Sequence, residues 1–171
     1  MRSFRIHVAK EYLGFSSGHF ITYNGHQCEP LHGHNYRARA TLEGTLTEDF
    51  YVVDFGDVKR TMKRICDALD HRMLLPLHNP LLTLDIDEQQ VKVCYGKRCY
   101  MFPRDDVVLL PIPNTTAEML AQHICGHVLH ELHRLGVQHL SAIEIEVEES
   151  FGQAAIYREE LRNDESTQSG N

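Results

Sequence analysis

The sequence predicts an α+β domain, an antiparallel sheet covered on one face by two helices. Three observations carry that prediction. Several segments alternate apolar and polar residues with the period of a strand. Two others repeat apolar residues at helical spacings of three and four. The two kinds run in blocks, strands first, helices next and strands last, rather than in strict alternation.

Phe4, Ile6 and Val8 alternate with polar neighbours, so residues 3–12 read as the first strand. A Gly- and Ser-containing stretch with His19, GFSSGHF, follows it. From His34 to Leu42 the set His34, Tyr36, Ala38, Ala40, Leu42 alternates with Asn35, Arg37, Arg39, Thr41, a second strand. Gly44 and the acidic TED turn the chain into an expected third strand, FYVVDF. Asp54 can cap a helix whose apolar stripe is Val58, Met62, Ile65 and Leu69, ending between Leu69 and Arg72. The second helix is expected to begin at Thr115, where TTAE offers a capping box from Thr115 to Glu118. Its stripe runs Leu120, Ile124, Val128, Leu132, Leu135 until Gly136 stops it. Ile143, Ile145 and Val147 then alternate with glutamates in a half-buried strand, and Phe151 to Tyr157 is its expected hairpin partner.

Between the helices lies a long connection, residues 73–114, containing QVKVCYGKRCYMF. Strand-like residues flank Gly96-Lys97, which predicts an inserted hairpin that brings Cys94 and Cys99 near each other as a thiol pair. Residues 1–161 are expected to form a single domain, with an insertion at about 77–112. The tail 162–171, RNDESTQSGN, has little to bury and is expected to be disordered.

At 171 residues the chain suits one domain. A net charge of −7 argues against a general nucleic-acid surface, which needs clustered Lys and Arg. No apolar run approaches the length of a membrane span, and the N-terminus lacks a signal-peptide core, so a cytoplasmic location is expected. The five cysteines are an odd number without secreted-scaffold spacing and read as thiols. The unusual count is histidine, twelve in all.

The stretch GHQCEPLHGHNY, Gly25 to Tyr36, crowds His26, Cys28, His32 and His34 into twelve positions. If the second strand extends back, His32 and His34 point to one face and start a chelate. A catalytic zinc site needs three protein ligands and an open position, and the third would come from His19, His26 or Cys28. A lone histidine is usually a cap or surface residue; an HGH on a strand beside another histidine and a cysteine favours metal. His123 and His127 are four apart on the second helix, but HICGH lacks the glutamate of HExxH, and with His130 and His133 they read as a partly solvated face. Asp70 beside His71 is by itself an ordinary helix-terminus pair. Its chemical interest is that a carboxylate orients an imidazole, which can in turn activate a thiol. Glu149 continues the parity of Ile143, Ile145 and Val147, so a carboxylate follows three core residues inward unless the strand end turns to solvent.

Taken together, CEPLHGHNY, LDHR, NTTAE and EVEES, in this order, resemble the 6-pyruvoyltetrahydropterin synthase and 6-carboxytetrahydropterin synthase family. The resemblance covers residues 3–72 and 113–158. It implies a tunnelling-type fold and a zinc ion held by His19, His32 and His34, with His26 peripheral. It further implies Cys28 as the catalytic thiol, Asp70 and His71 as its proton-relay partners, Glu149 as the pterin anchor, Thr115 and Thr116 lining the pocket, and Glu118 capping the helix beneath. The implied substrate is 7,8-dihydroneopterin triphosphate, with no redox cofactor. Three residues separate Cys28 from His32, which resembles the 6-carboxytetrahydropterin synthases of the queuosine pathway, with acetaldehyde and triphosphate lost. Glu29 directly after Cys28 keeps a 6-hydroxymethyl-dihydropterin product open, and a 6-pyruvoyltetrahydropterin synthase is the other enzymatic alternative. The non-catalytic alternative is a binding module with a closed site completed by Cys28. The resemblance also implies a homo-oligomer, a hexamer, whose active sites lie at subunit boundaries.

Overall fold

The computed structural model describes residues 3–161; the expected tail lies outside the described residues. In chain order the elements are β1 (Phe4–Val8), β2 (Gly14–His19), β3 (Thr22–Tyr23), β4 (Gln27–Cys28), β5 (His32–Gly44) and α1 (Phe55–Leu69). There follow β6 (Arg72–Pro76), β7 (Thr83–Ile86), β8 (Gln90–Tyr95), β9 (Arg98–Pro103), β10 (Val107–Leu110), α2 (Ala117–Arg134), β11 (Leu140–Ser150) and β12 (Gln153–Glu160).

The main sheet has seven strands in the order β10-β6-β2-β5-β11-β12, with β1 also paired to β5. It is mixed, which corrects the expectation of a purely antiparallel sheet: β6 runs parallel to both β2 and β10. Parallel neighbours need long connections. Here β5 and α1 separate β2 from β6, and the three-stranded sheet β7-β8-β9 separates β6 from β10.

One face of the sheet is apolar because β5 and β11 alternate. Tyr36, Ala38, Ala40 and Leu42 of β5, with Ile143, Ile145 and Val147 of β11, are buried in one core with Val58 and Met62 of α1 and Leu120, Ile124 and Val128 of α2. The opposite parity carries charge: Arg39 pairs with Glu146 and Glu148, and Arg158 with Glu43 and Glu144. A second core lies under the inserted sheet, where Val91 and Val93 pack with Phe20, Met73 and Leu75.

Several local expectations change. GFSSGH is a strand: its odd-numbered residues Phe15, Ser17 and His19 are buried, and β5 pairs along its whole length. FYVVDF is not a strand, since Val52 and Val53 are both buried in succession, which breaks alternation, and the segment begins in a turn closed by Phe50 N–H to Thr47 O at 3.1 Å. The α1 cap stands as read: the Asp54 carboxylate accepts the Gly56 N–H at 2.5 Å. The α2 cap is one residue later than expected. Thr116 accepts the Met119 N–H at 3.4 Å, which places Glu118 outside the reciprocal capping position.

Candidate metal centre and active site

The histidines converge because β2 and β5 are antiparallel neighbours in a register that sets His19 opposite His32, with His34 two residues on and facing the same way. Gly33 lets the strands approach: a Cβ there would stand 2.9 Å from the Ser17 carbonyl oxygen. Ring centroids lie 4.7 Å apart for His19 and His32, 5.2 Å for His19 and His34, and 4.9 Å for His32 and His34. One nitrogen from each ring falls within 4.8 Å of the other two, and among the described residues this is the one such group of three.

Backbone carbonyls set the ring orientation. His19 Nδ1 lies 2.9 Å from Thr115 O and His32 Nδ1 lies 2.9 Å from Pro30 O, so each Nδ1–H donates outward and leaves Nε2 with a lone pair. His19 is 1% exposed and its Nε2 has no hydrogen-bond partner among the described residues. Burial is the largest influence on it and, with the neighbouring His32 and His34, outweighs the Thr115 contact to push its pKa down to about 4. It is therefore neutral at pH 7, as a metal-ligating imidazole must be. A buried, unpartnered lone pair aimed at two further imidazoles is the donor set that a zinc-like cation fits.

Glu149 turns inward. Between Glu148 and Ser150 the pairing with β12 skips a residue, so Glu149 is the extra residue of a β-bulge, a device that re-aims a side chain. Its Oε1 stands 3.5 Å from Nε2 of both His19 and His34. Glu29 Oε2 lies 3.8 Å from His32 Nε2 and accepts the Ile21 N–H at 3.4 Å. Glu29, His32, His34, Glu149 and Thr116 line a cavity of about 640 Å³ at the start of α2. The Tyr36 ring packs edge-on against His19 and His34; its hydroxyl is buried without a hydrogen-bond partner among the described residues, and burial, then Glu149 and Glu29, raise its pKa. Thr115 is fully buried, its hydroxyl donating to Phe20 O at 3.2 Å while its own carbonyl holds His19 Nδ1, so it supports that ring from the core side.

Other candidates fall elsewhere. Cys28 is half-buried, its thiol 3.5 Å from its neighbour's carbonyl at Glu29, and it is not a member of the imidazole cluster. His26 is outside the cluster, its Nδ1 2.6 Å from Asn24 O. Asp70 and His71 pair at 2.8 Å, and the Ser16 N–H, followed by His71, holds the Asp70 carboxyl below its usual range. His71 is exposed and lines, with Ser16, Gly33 and Asn35, a second cavity that shares His32 and His34 with the first; among the described residues it makes no hydrogen bond or ion pair with Cys28. His123 and His127 meet edge to face at 4.5 Å beside Glu131 along an apolar cavity, and among the described residues no third ligand is gathered to them. Cys94 and Cys99 are joined as a disulfide rather than standing as two thiols. Sequence reasoning missed Arg98 and Tyr95, which reach from the inserted sheet to residues 26–29; a contact across about seventy positions leaves no local signal.

A mixed sheet with two helices on one face carries an imidazole cluster where the second helix starts, and relatives named as tetrahydropterin synthases make this an enzyme of the pterin-synthase class. The chain belongs to the 6-pyruvoyl tetrahydropterin synthase family, whose model matches residues 7–160. A Methanocaldococcus jannaschii protein provisionally named 6-carboxy-5,6,7,8-tetrahydropterin synthase is 38% identical over 151 residues, 87% of this chain and 91% of its own. The 6-carboxy-5,6,7,8-tetrahydropterin synthase of Aquifex aeolicus is 28% identical over 78% of this chain and 77% of its own. Among solved structures, the 6-pyruvoyl tetrahydropterin synthase of Plasmodium falciparum superposes with a TM-score of 0.86 at 34% identity, covering 93% of this chain and 99% of its own. That of Plasmodium vivax, as a mutant of a glutamate described as a catalytic residue, gives 0.86 at 29% identity over 94% and 100%. No helix among the described residues is long and apolar enough to cross a membrane.

Proposed function

We propose that this chain is a cytoplasmic, zinc-dependent 6-carboxytetrahydropterin synthase. It converts 7,8-dihydroneopterin triphosphate to 6-carboxy-5,6,7,8-tetrahydropterin with loss of acetaldehyde and triphosphate, in the route to queuosine and related 7-deazapurines. The observation that carries this reading is the convergence of His19, His32 and His34 beside the Glu149 carboxylate, in a chain whose relatives bear that synthase's name.

His19, His32 and His34 hold the zinc and leave a position for substrate. When bound, zinc supplies Lewis acidity to the hydroxyls of the substrate side chain and the adjoining C–H bonds. The chain's own groups do the rest. Glu149 accepts hydrogen bonds from the pterin ring N–H and amino group, Thr116 lines the ring site, and Thr115 holds His19 in place from beneath. Cys28 and the Asp70–His71 pair move protons on opposite faces of the side chain. The chain works as a homo-oligomer, a hexamer, with its active sites at subunit boundaries, where the Asp70–His71 pair would meet Cys28. Residues 1–161 work as one catalytic domain, with 77–112 as its insertion.

A second reading has its own observation. The Glu29 carboxylate lines the cavity 3.8 Å from His32 Nε2, placed to move a proton there instead of a thiol, and the reading it supports is cleavage to 6-hydroxymethyl-dihydropterin; a P. vivax 6-pyruvoyltetrahydropterin synthase also has a glutamate named as a catalytic residue. Mass spectrometry of the product from 7,8-dihydroneopterin triphosphate separates the two. The expected result is the 6-carboxy product from wild type, with Cys28→Ala keeping zinc and losing turnover and Glu29→Ala staying active. A 6-hydroxymethyl product abolished by Glu29→Ala establishes the second reading, and a 6-pyruvoyl product a third. No turnover, with the Cys28 thiol protected by metal from alkylation, makes the chain a zinc-stabilised binding module.

A further inference from the structure

The three-stranded sheet between the helices is anchored at the active-site segment. Val91 and Val93 of β8 are fully buried against a core that includes Phe20, the residue after the ligand His19, and Cys28 packs at its margin. The β8–β9 hairpin turns through Gly96, whose φ of 56° suits glycine, and is cross-linked just before and after the turn by Cys94–Cys99. From this frame Arg98 Nη2 donates to Cys28 O at 2.9 Å and to Glu29 O at 3.0 Å. The Tyr95 hydroxyl donates to His26 O, and the Arg98 guanidinium carbon lies 5.8 Å from the centre of the Tyr95 ring, a cation–π contact that steadies it.

The segment so held has little regular structure of its own. β3 and β4 are two residues each, and the further ties are few: the Glu29 N–H to Ile21 O at 3.0 Å, the His26 N–H to Tyr23 O at 3.3 Å and the Ile21 N–H to the Glu29 carboxylate at 3.4 Å. One charged donor on two successive carbonyls fixes the peptide planes from which the Cys28 and Glu29 side chains depart.

We propose that Arg98 is a positioning residue: by bridging Cys28 O and Glu29 O it sets the direction of both side chains, of which Glu29 reaches the imidazole cluster, and the inserted sheet is the frame that presents it. The inference deepens the pterin-synthase reading and rests on it for its kinetic part.

The full-length, zinc-loaded protein is compared with Arg98→Met and Arg98→Lys. Hydrogen exchange needs no turnover: in Arg98→Met the Glu29 amide is expected to exchange at least about tenfold faster, as for loss of a charge-assisted bond, with α1, β11 and zinc content unchanged. With 7,8-dihydroneopterin triphosphate, kcat is expected to fall about 10- to 100-fold while KM stays within about twofold, the size of a small misplacement of reacting groups. Arg98→Lys falls between, because an ammonium keeps the charge and loses the planar fork. Unchanged exchange at residues 26–29 in Arg98→Met overturns the proposal, and so does faster exchange with kcat at the wild-type value. If wild type itself fails to turn over the substrate, the functional reading falls, and the exchange measurement still decides whether Arg98 holds the segment. Should the methionine variant not fold, Arg98→Lys carries both measurements with the same deciding outcomes.

Discussion

His19 makes the stability of the metal-free protein depend on pH, and the size follows from its burial. Its pKa falls from 6.5 in the unfolded chain to about 4 in the fold, chiefly by desolvation. Above pH 6.5 the ring is neutral in both states and contributes no difference. As pH drops below 6.5 the unfolded chain takes the proton first, so stability declines until the folded ring protonates near pH 4. The full difference is worth roughly 3 kcal/mol, and about 2 kcal/mol of it is expressed at pH 5. The neighbouring His32 and His34 rings act in the same direction, and Glu149 at 3.5 Å supplies an opposing negative charge. The perturbation is His19→Gln, which removes the titrating ring. Urea unfolding in the presence of a chelator, at pH 7 and pH 5, is the assay. Wild type is expected to lose about 2 kcal/mol more between the two values than the variant. Equal losses in the two proteins refute the argument, because they mean that the ring is solvated or charged in the fold.

Two further outcomes follow from the same geometry. Gly33→Ala puts a Cβ 2.9 Å from Ser17 O, so β2 and β5 must separate beside the three imidazoles; zinc affinity measured by competition with a chromophoric chelator is expected to fall about 10- to 100-fold, the loss typical of removed outer support. Thr116→Ala removes the cap of α2 at the cavity wall and is expected to cost about 1 kcal/mol, read as a fall of roughly 2–4 °C in Tm by calorimetry.

The sequence was most informative where one period ran uninterrupted. β5 alternates from His32 to Gly44, and α1 keeps its stripe from its Asp54 cap to Leu69, so both could be read directly. β2 was obscured because two glycines and two serines look like a loop, while its strand character comes from pairing with β5 and from burying Ser17 against Leu69 O at 2.6 Å. The parallel pairs of β6 with β2 and β10 were unreadable, since RMLLP and VVLL are short apolar runs whose partners are chosen by the whole sheet. In the site, the HGH spacing placed two imidazoles on one face, but the arrival of His19 opposite His32 depends on strand register. The inward turn of Glu149 followed from parity, whereas the bulge that delivers it to the imidazoles required β12.

The excursion from Pro76 to Val107 leaves at the end of one strand and returns at the beginning of the strand beside it, so its neck is tied into the main sheet on both sides. Its far tip grips the stretch before the HGH, so a change of length or sequence in the cassette is felt at residues 26–29. Grafted onto another chain, the cassette would carry that grip with it, and this chain without it would have to brace residues 26–29 by other means.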